Sequence, residues 1–291
     1  MLNKKIEYFI TLAECLSFTQ AAAIHSVTQT AISQYIASLE GKLQVRLFHR
    51  NAHSVSLTEA GQFYYERIKF LVNFYDDTRK RLVAIDEAYQ GYVKVGIGMY
   101  EYRRTEDFFS RFLIAHPEIK VDIFQYPYSA LTEKLKSGAL DVIFANVLCE
   151  EAFTKESILS RPMFEAANFL VADPQLAEKY PKGDGAALLK GECLITNCED
   201  TGPNSMGMLR VLLQREFDVV PRRIAQTNST NAQLLMVRAR HGVAIVPDSV
   251  LEGADDGLVR IKLKKGEMTR YHMMSLAGNN NPAAKLLMEF E

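Results

Sequence analysis

A chain of 291 residues, 48% hydrophobic and 24% charged, suits two or three soluble globular domains and excludes a disordered polymer. Its net charge of -1 excludes a globally basic nucleic-acid binder. No apolar run approaches the roughly 18 residues of a membrane span, and Glu7 and Glu14 break the early apolar stretch a secretory signal would need.

The charge is unevenly spread. Residues 1–58 hold Lys4, Lys5, Lys42, Arg46 and Arg50 against Glu7, Glu14 and Glu40, which is 5 - 3 = +2 and leaves -3 for the rest. That modest polarity suits a DNA module whose footprint is multiplied by dimerisation. Ile6, Phe9, Ile10 and Ala13 recur at helical spacing and predict a first helix from about Asn3 to Leu16. Thr19 is the expected cap of a second helix through Ala21, Ala22 and Ala23, whose small side chains let two helix backbones approach. Thr28 then caps a third helix that buries Ala31, Ile32, Tyr35, Ile36 and Leu39.

The other face of that third helix carries Gln29, Thr30, Ser33, Gln34 and Ala37. Solvated helix faces usually carry long charged side chains, and this one has none. Small amides and hydroxyls at a helix start can read base edges, and the helix amides attract phosphate. From His49 to Leu57 the pattern predicts a short hairpin or wing, with Arg50 and His53 directed at the DNA backbone.

From Thr58 a long helix begins, capped by Thr58 with an acidic first turn, and Gly91 ends it. Tyr64, Ile68, Leu71, Tyr75, Thr78, Leu82, Ile85 and Tyr89 follow at alternating four- and three-residue steps, the seam of a coiled coil. Pairing between subunits is favoured over packing on the helix's own domain.

Beyond it, strand Tyr92–Ile97, a helix through Phe108, Phe109, Phe112 and Leu113, strand Lys120–Phe124, helix Leu131–Lys136 and strand Asp141–Ala145 alternate. That order predicts a largely parallel sheet with ligands at the strand carboxyl ends. Gly96 and Gly98 open a dinucleotide fingerprint that fails, because position 101 is Glu101. A second α/β unit is expected over about Met163 to Gly266, with strand Cys193–Thr196, a helix near Met206–Phe217 and the strand G-V-A-I-V-P from Gly242. Tyr271–Leu276 reads as a returning strand and Pro282–Phe290 as a last helix.

The first 61 residues resemble the LysR-type transcriptional regulators. Phe9, Ala13, Ser17, Phe18, Thr19, Ala21, Ala22, Thr28, Gln29, Ala31, Ile32, Ser33, Ile36, Leu39 and Glu40 match that family's amino-terminal pattern, and Leu47, Phe48, Arg50, Leu57, Thr58, Ala60 and Gly61 its continuation. Four positions depart from it: His25 replaces a leucine, with Ile24 expected to take over part of its packing; Thr30 replaces a proline; Gln34 replaces an arginine; and Gln44 stands where a glycine normally makes a left-handed turn. The operator is therefore expected to differ from the family norm. F-L-I-A-H-P-E-I-K-V from Phe112, S-G-A-L-D-V-I-F from Ser137 and G-V-A-I-V-P extend the resemblance along the chain.

The resemblance implies an α/β chain with an amino-terminal winged helix-turn-helix over 1–58, a linker dimerisation helix over 59–90, and a two-lobed α/β effector domain similar to periplasmic binding proteins. Lobe I would comprise 91–162 and 267–291, and lobe II 163–266. DNA contacts would come from Thr28, Gln29, Thr30, Ser33, Gln34, Arg50 and His53, and dimerisation from Tyr64, Ile68, Leu71, Tyr75, Leu82 and Ile85. A small-molecule co-inducer would meet Gly98, Met99, Tyr100, Tyr128 and Asn146 from one side and Thr201, Asn204 and Asn228 from the other. The helix start after Gly98 would offer free amides to a carboxylate. Tyr100, Tyr102, Tyr126 and Tyr128 would either narrow this cleft around a flat ligand or serve as packing residues.

The implied partners are double-stranded DNA, the effector and the chain itself as a dimer or tetramer, with RNA polymerase a further partner the resemblance allows. No cofactor is expected. The chain would work as a cytoplasmic regulator, consistent with Cys15, Cys149, Cys193 and Cys198 being scattered rather than framed for disulfides. Neither Cys193 nor Cys198 has the basic surroundings that activate a thiol, so both read as buried or incidental rather than as a redox switch. The rival reading, an enzyme or solute-binding protein with a vestigial first domain, lacks support. There is no nucleophile–base constellation, phosphate loop or metal-ligand spacing, and Gln29, Ser33 and Arg50 are retained.

Overall fold

The computed structural model describes residues 4–50, 54–86, 90–197, 203–251, 257–263 and 268–291. The chain divides into two compact units, Met1–Val83 with Lys136–Ala139, and Ala84–Leu135 with Leu140–Glu291.

In the first unit, α1 (Lys4–Cys15), α2 (Phe18–Ile24) and α3 (Gln29–Leu43) precede a hairpin of β1 (Phe48–Arg50) and β2 (Val55–Leu57). Ser17, not Thr19, caps α2: its hydroxyl accepts from the Gln20 amide at 3.3 Å. Thr19 lies inside the helix on its exposed side. Thr28 caps α3 as expected, accepting from Ala31 N at 3.2 Å. Phe9, Leu12, Ala21, Ile32, Ile36, Leu47 and Phe48 close the core between these elements.

His25 does its own packing. Its ring meets Tyr8 edge-on at 4.9 Å and its Nε2 lies 2.7 Å from Thr11 Oγ1, while Ile24 stays 58% exposed. The polar ring fills the leucine's place because a hydroxyl and an aromatic edge both accommodate it, leaving Ile24 with nothing to replace. Gln44 ends α3 at φ 54 and ψ 29, so a non-glycine residue does occupy the left-handed turn. That conformation costs an L-residue roughly 1–2 kcal/mol. Gln44→Gly should accordingly stabilise this unit by about 1 kcal/mol after the unfolded-state entropy of glycine is subtracted; chemical denaturation of the full chain measures it.

Helix α4 (Glu59–Asp86) starts at a Thr58 cap, whose hydroxyl accepts from Gly61 N at 2.9 Å. It belongs to the first unit through Val83. Glu14 of α1 accepts from Tyr65 OH at 2.9 Å and from Lys69 Nζ at 2.8 Å, fixing α4 to α1. Burial works to lower the Lys69 ammonium, and its hydrogen bonds to Glu14 and Tyr65 overcome that and hold it above the usual lysine range.

The second unit runs β3 (Gly91–Ile97), α5 (Tyr102–Ala115), β4 (Ile119–Gln125), α6 (Tyr128–Lys136), β5 (Val142–Asn146) and β6 (Ile158–Ala166). There follow β7 (Asn168–Ala172), α7 (Pro174–Ala177), α8 (Gly185–Gly191), β8 (Leu194–Asn197), α9 (Pro203–Phe217), β9 (Ile224–Thr227) and α10 (Thr230–Arg238). Last come β10 (Val243–Pro247), β11 (Val259–Lys262), β12 (Thr269–Leu276) and α11 (Pro282–Glu289). Two five-stranded sheets result, ordered β4-β3-β5-β12-β6 and β11-β7-β10-β8-β9, each the floor of one lobe.

Within each sheet two pairings are parallel and two antiparallel, so the largely parallel sheet predicted from alternation is only half right. The antiparallel half consists of β12 between β5 and β6 in one sheet and β7 between β10 and β11 in the other. The first crossing falls at Ala167, not at residue 163: β6 pairs with β12 along its whole length and belongs to lobe I.

Candidate functional site

Two regions gather the residues singled out from sequence. On α3, Gln29, Thr30 and Gln34 are exposed and Ser33 is half-buried, while Ile32 and Ile36 are fully buried behind them. The Thr28 cap and the fixed apolar face leave this polar face one orientation. Burial, then the neighbouring Tyr64, pushes the Tyr35 hydroxyl up, and burial does the same to Tyr64.

Arg50 is less free than a backbone clamp would be. Its Nη2 donates to Glu40 Oε2 at 2.9 Å, and its guanidinium lies 5.1 Å from the Phe18 ring centroid. Glu40 is 7% exposed, and its other oxygen accepts from Leu47 N at 2.8 Å and Phe48 N at 3.1 Å. One buried carboxylate thus joins the end of α3, the start of the hairpin and Arg50. A lone acid near a helix end reads as solvated, so nothing in local pattern singled out Glu40 beyond its family match. His53 lies outside the described residues.

Along α4, Leu71, Tyr75 and Leu82 are exposed, as are Phe63, Phe74 and Val83, which the seam pattern missed. Ile68 is half-buried. Tyr64 turns the other way and packs its ring on Phe9 at 4.9 Å, because the first turns of α4 close the core of the amino-terminal unit. The side chain of Ile85 is outside the described residues.

In the second unit the carboxyl end of β3 meets lobe II. The groups there are already engaged. Gly98 N donates to Phe144 O at 3.0 Å, and Gly98 O accepts from Gln125 Nε2 at 3.2 Å. Met99 O accepts from Thr230 Oγ1 at 3.0 Å, and Tyr100 O from Ser249 Oγ at 3.1 Å. Tyr100 N donates to Glu101 Oε2 at 2.9 Å, and the Tyr100 hydroxyl accepts from Asn197 Nδ2 at 3.2 Å. Asn197 in turn accepts from Thr227 Oγ1 at 2.7 Å. Thr230, Ser249 and Asn197 of lobe II therefore hold the lobe I segment 99–100 at three points.

Gly98, Met99, Tyr100 and Tyr128 come together around Glu101. Asn146 caps the turn Val147–Ala152, accepting from Leu148 N at 3.0 Å, and Asn228 is exposed between β9 and α10. Thr201 lies outside the described residues, and of Asn204 only its place in α9 is described. The tyrosines separate as well. Tyr100 packs against the lobe II core and Tyr126 stacks on Phe124 at 6.2 Å, whereas Tyr102 is exposed and accepts from Arg103 Nε at 2.7 Å. A pocket of about 370 Å³ lies where Tyr102 and Arg103 of α5 face Thr230, Leu234 and Arg238 of α10.

Cys193 is buried beside β8, and Gly242 must lack a side chain there because a Cβ would stand 2.0 Å from Cys193 O. Cys198 lies outside the described residues. Among the described residues no group of three or more His, Cys, Asp or Glu is placed to hold a metal ion, and no helix is long and apolar enough to cross a membrane.

Residues 4–62 match the family described as bacterial regulatory helix-turn-helix protein, lysR family, and residues 87–290 match the LysR substrate binding domain. The chain is 24% identical over 251 residues to the HTH-type transcriptional regulator BenM of Acinetobacter baylyi, covering 84% of this chain and 80% of the relative. It is 28% identical over 251 residues to CatR of Pseudomonas putida, covering 85% and 83%. Among solved structures it is similar to CbnR, a LysR family transcriptional regulator, with a TM-score of 0.64 at 21% identity over 100% of this chain and 98% of that one. It is equally similar to full-length CbnR complexed with its target DNA, at a TM-score of 0.64 and 19% identity, over the same shares.

Proposed function

Since the chain belongs to the LysR family of bacterial regulatory helix-turn-helix proteins, DNA-binding transcriptional regulators with an effector-binding domain and not enzymes, we propose how its residues divide that work. Gln29, Thr30, Ser33 and Gln34 read base edges in a major groove, with Thr28 setting the helix start. Arg50 and His53 meet the backbone from the wing. Two copies pair through Ile68, Leu71, Tyr75, Leu82 and Ile85 of α4 and so address an interrupted palindrome, with two such pairs making a tetramer. The small-molecule effector binds between the lobes near Gly98, Met99, Tyr100 and Tyr128, and shifts the balance between lobe and subunit arrangements. The regulator works in the cytoplasm, beside its DNA.

The observation that carries this reading is the uncharged polar face of α3, exposed at the helix start above the fully buried Ile32 and Ile36. The DNA complex of the similar protein CbnR supports the use of such a module on DNA. In mobility-shift titrations, Gln29→Ala should cost about 1–3 kcal/mol at the preferred site and relax the choice of base at one position. Arg50→Ala should weaken every sequence alike and flatten the salt dependence by about one unit per subunit. An Arg50→Ala variant that changed base preference while keeping the wild-type salt slope would contradict this division.

A further inference from the structure

An effector carboxylate placed at the end of β3 would need the amides that follow Gly98, and the chain supplies its own carboxylate there. Glu101 is 0% exposed. Its Oε2 accepts from Tyr100 N at 2.9 Å and its Oε1 from Tyr128 OH at 2.8 Å, so each oxygen serves as an acceptor, the pattern that favours an ionised carboxylate. The side chain folds back onto the strand end, and a Cβ on Gly98 would lie 2.5 and 2.7 Å from its two oxygens. Gly98 is thus the gap into which Glu101 fits.

The remaining groups of the segment are held as firmly. Met99 O and Tyr100 O are taken by Thr230 and Ser249, and Gly98 N by Phe144 O. A second carboxylate brought here would have to displace Glu101 from the amide and would meet like charge in a water-poor site, where such repulsion is strong.

We propose that Glu101 is a specificity-determining residue of the cleft: it occupies the place of an effector carboxylate and restricts effectors to neutral or cationic molecules. This rests on the reading that the effector binds between the lobes. The sequence pointed to position 101 only as a missing glycine.

The test uses the full chain, with acetate and benzoate as probes against chloride at matched ionic strength. Wild type should show no saturable thermal shift with either anion. Glu101→Ala should gain one, binding benzoate about tenfold or more tightly than wild type, the scale of one hydrogen bond to a charged group. Equal benzoate binding by wild type and a folded E101A overturns the proposal. If E101A fails to fold, Glu101→Gln removes the charge and keeps the shape, and benzoate must then bind E101Q more tightly than wild type. Hydrogen exchange locates the anion: slowed exchange at residues 98–101 of the variant supports the proposal. Slowing confined to another region overturns the cleft reading and the proposal with it.

Discussion

Glu40→Ala should destabilise the amino-terminal unit by about 2–4 kcal/mol and abolish DNA binding without altering any residue of the α3 polar face. The expectation comes from what the carboxylate holds. Its loss leaves Leu47 N and Phe48 N without acceptors and Arg50 without its partner. Each buried orphan donor costs about 1–3 kcal/mol. Removing one member of a well-buried ion pair costs about 3–5 kcal/mol, discounted here because the Arg50 side chain is 29% exposed and can rehydrate.

Glu40→Gln keeps one acceptor oxygen and should lose less, and Arg50→Ala, which leaves both amides satisfied, least of all. Hydrogen exchange at Leu47 and Phe48, together with denaturant melts of the three variants, reads the order. If Arg50→Ala proved the most damaging, the carboxylate would be an accessory of the ion pair and not its organiser.

Gly61→Ala should be nearly as severe. A Cβ there would stand 1.9 Å from Leu47 O and 2.9 Å from Leu47 C, both backbone atoms, and Leu47 O also accepts from Thr58 N. Overpacking of this kind costs about 3 kcal/mol at the upper end of its range, against about 1 kcal/mol gained by alanine in a helix, so a net loss near 2 kcal/mol is expected. Gly41 supplies the control. It lies in α3 with nothing within 4 Å of its Cβ position, so Gly41→Ala should stabilise the chain by about 1 kcal/mol. Opposite signs at two helical glycines would establish close approach, not helix propensity, as the reason Gly61 is needed.

What the sequence made legible is what repeats locally. The periodicity of Ile32 and Ile36 fixed the buried side of α3, Thr28 its start, and the alternation around His49–Leu57 its hairpin. The β/α alternation likewise located β3, β4, β5, β8, β10 and β12 to within a few residues, but not β6, β7, β9 or β11. What escaped depends on partners distant in sequence. Tyr64 keeps the heptad step of α4, yet Phe9 draws it inward. β6 looks like the start of a second unit until β12, more than a hundred residues on, pairs with it.

The cleft shows the same limit. Thr230, Ser249 and Asn197 carry no local signal, and only the fold brings them to Met99 and Tyr100. Glu40 and Glu101 were the costliest omissions, because a carboxylate in a sequence looks solvated until its donors are in place. Polar anchors and close backbone approaches of this sort are where a family pattern acquires its physical reason, as Glu40 and Gly61 illustrate.

The most direct test of DNA reading by the α3 face is selection of bound duplexes from a randomised pool by the full chain, run in parallel with Gln29→Ala. Wild type should enrich an interrupted palindrome with two like half-sites, and the variant should retain the spacing while losing preference at one position of each half. Enrichment of no sequence by wild type, or the same sequence enriched unchanged by a folded Gln29→Ala variant, would contradict it.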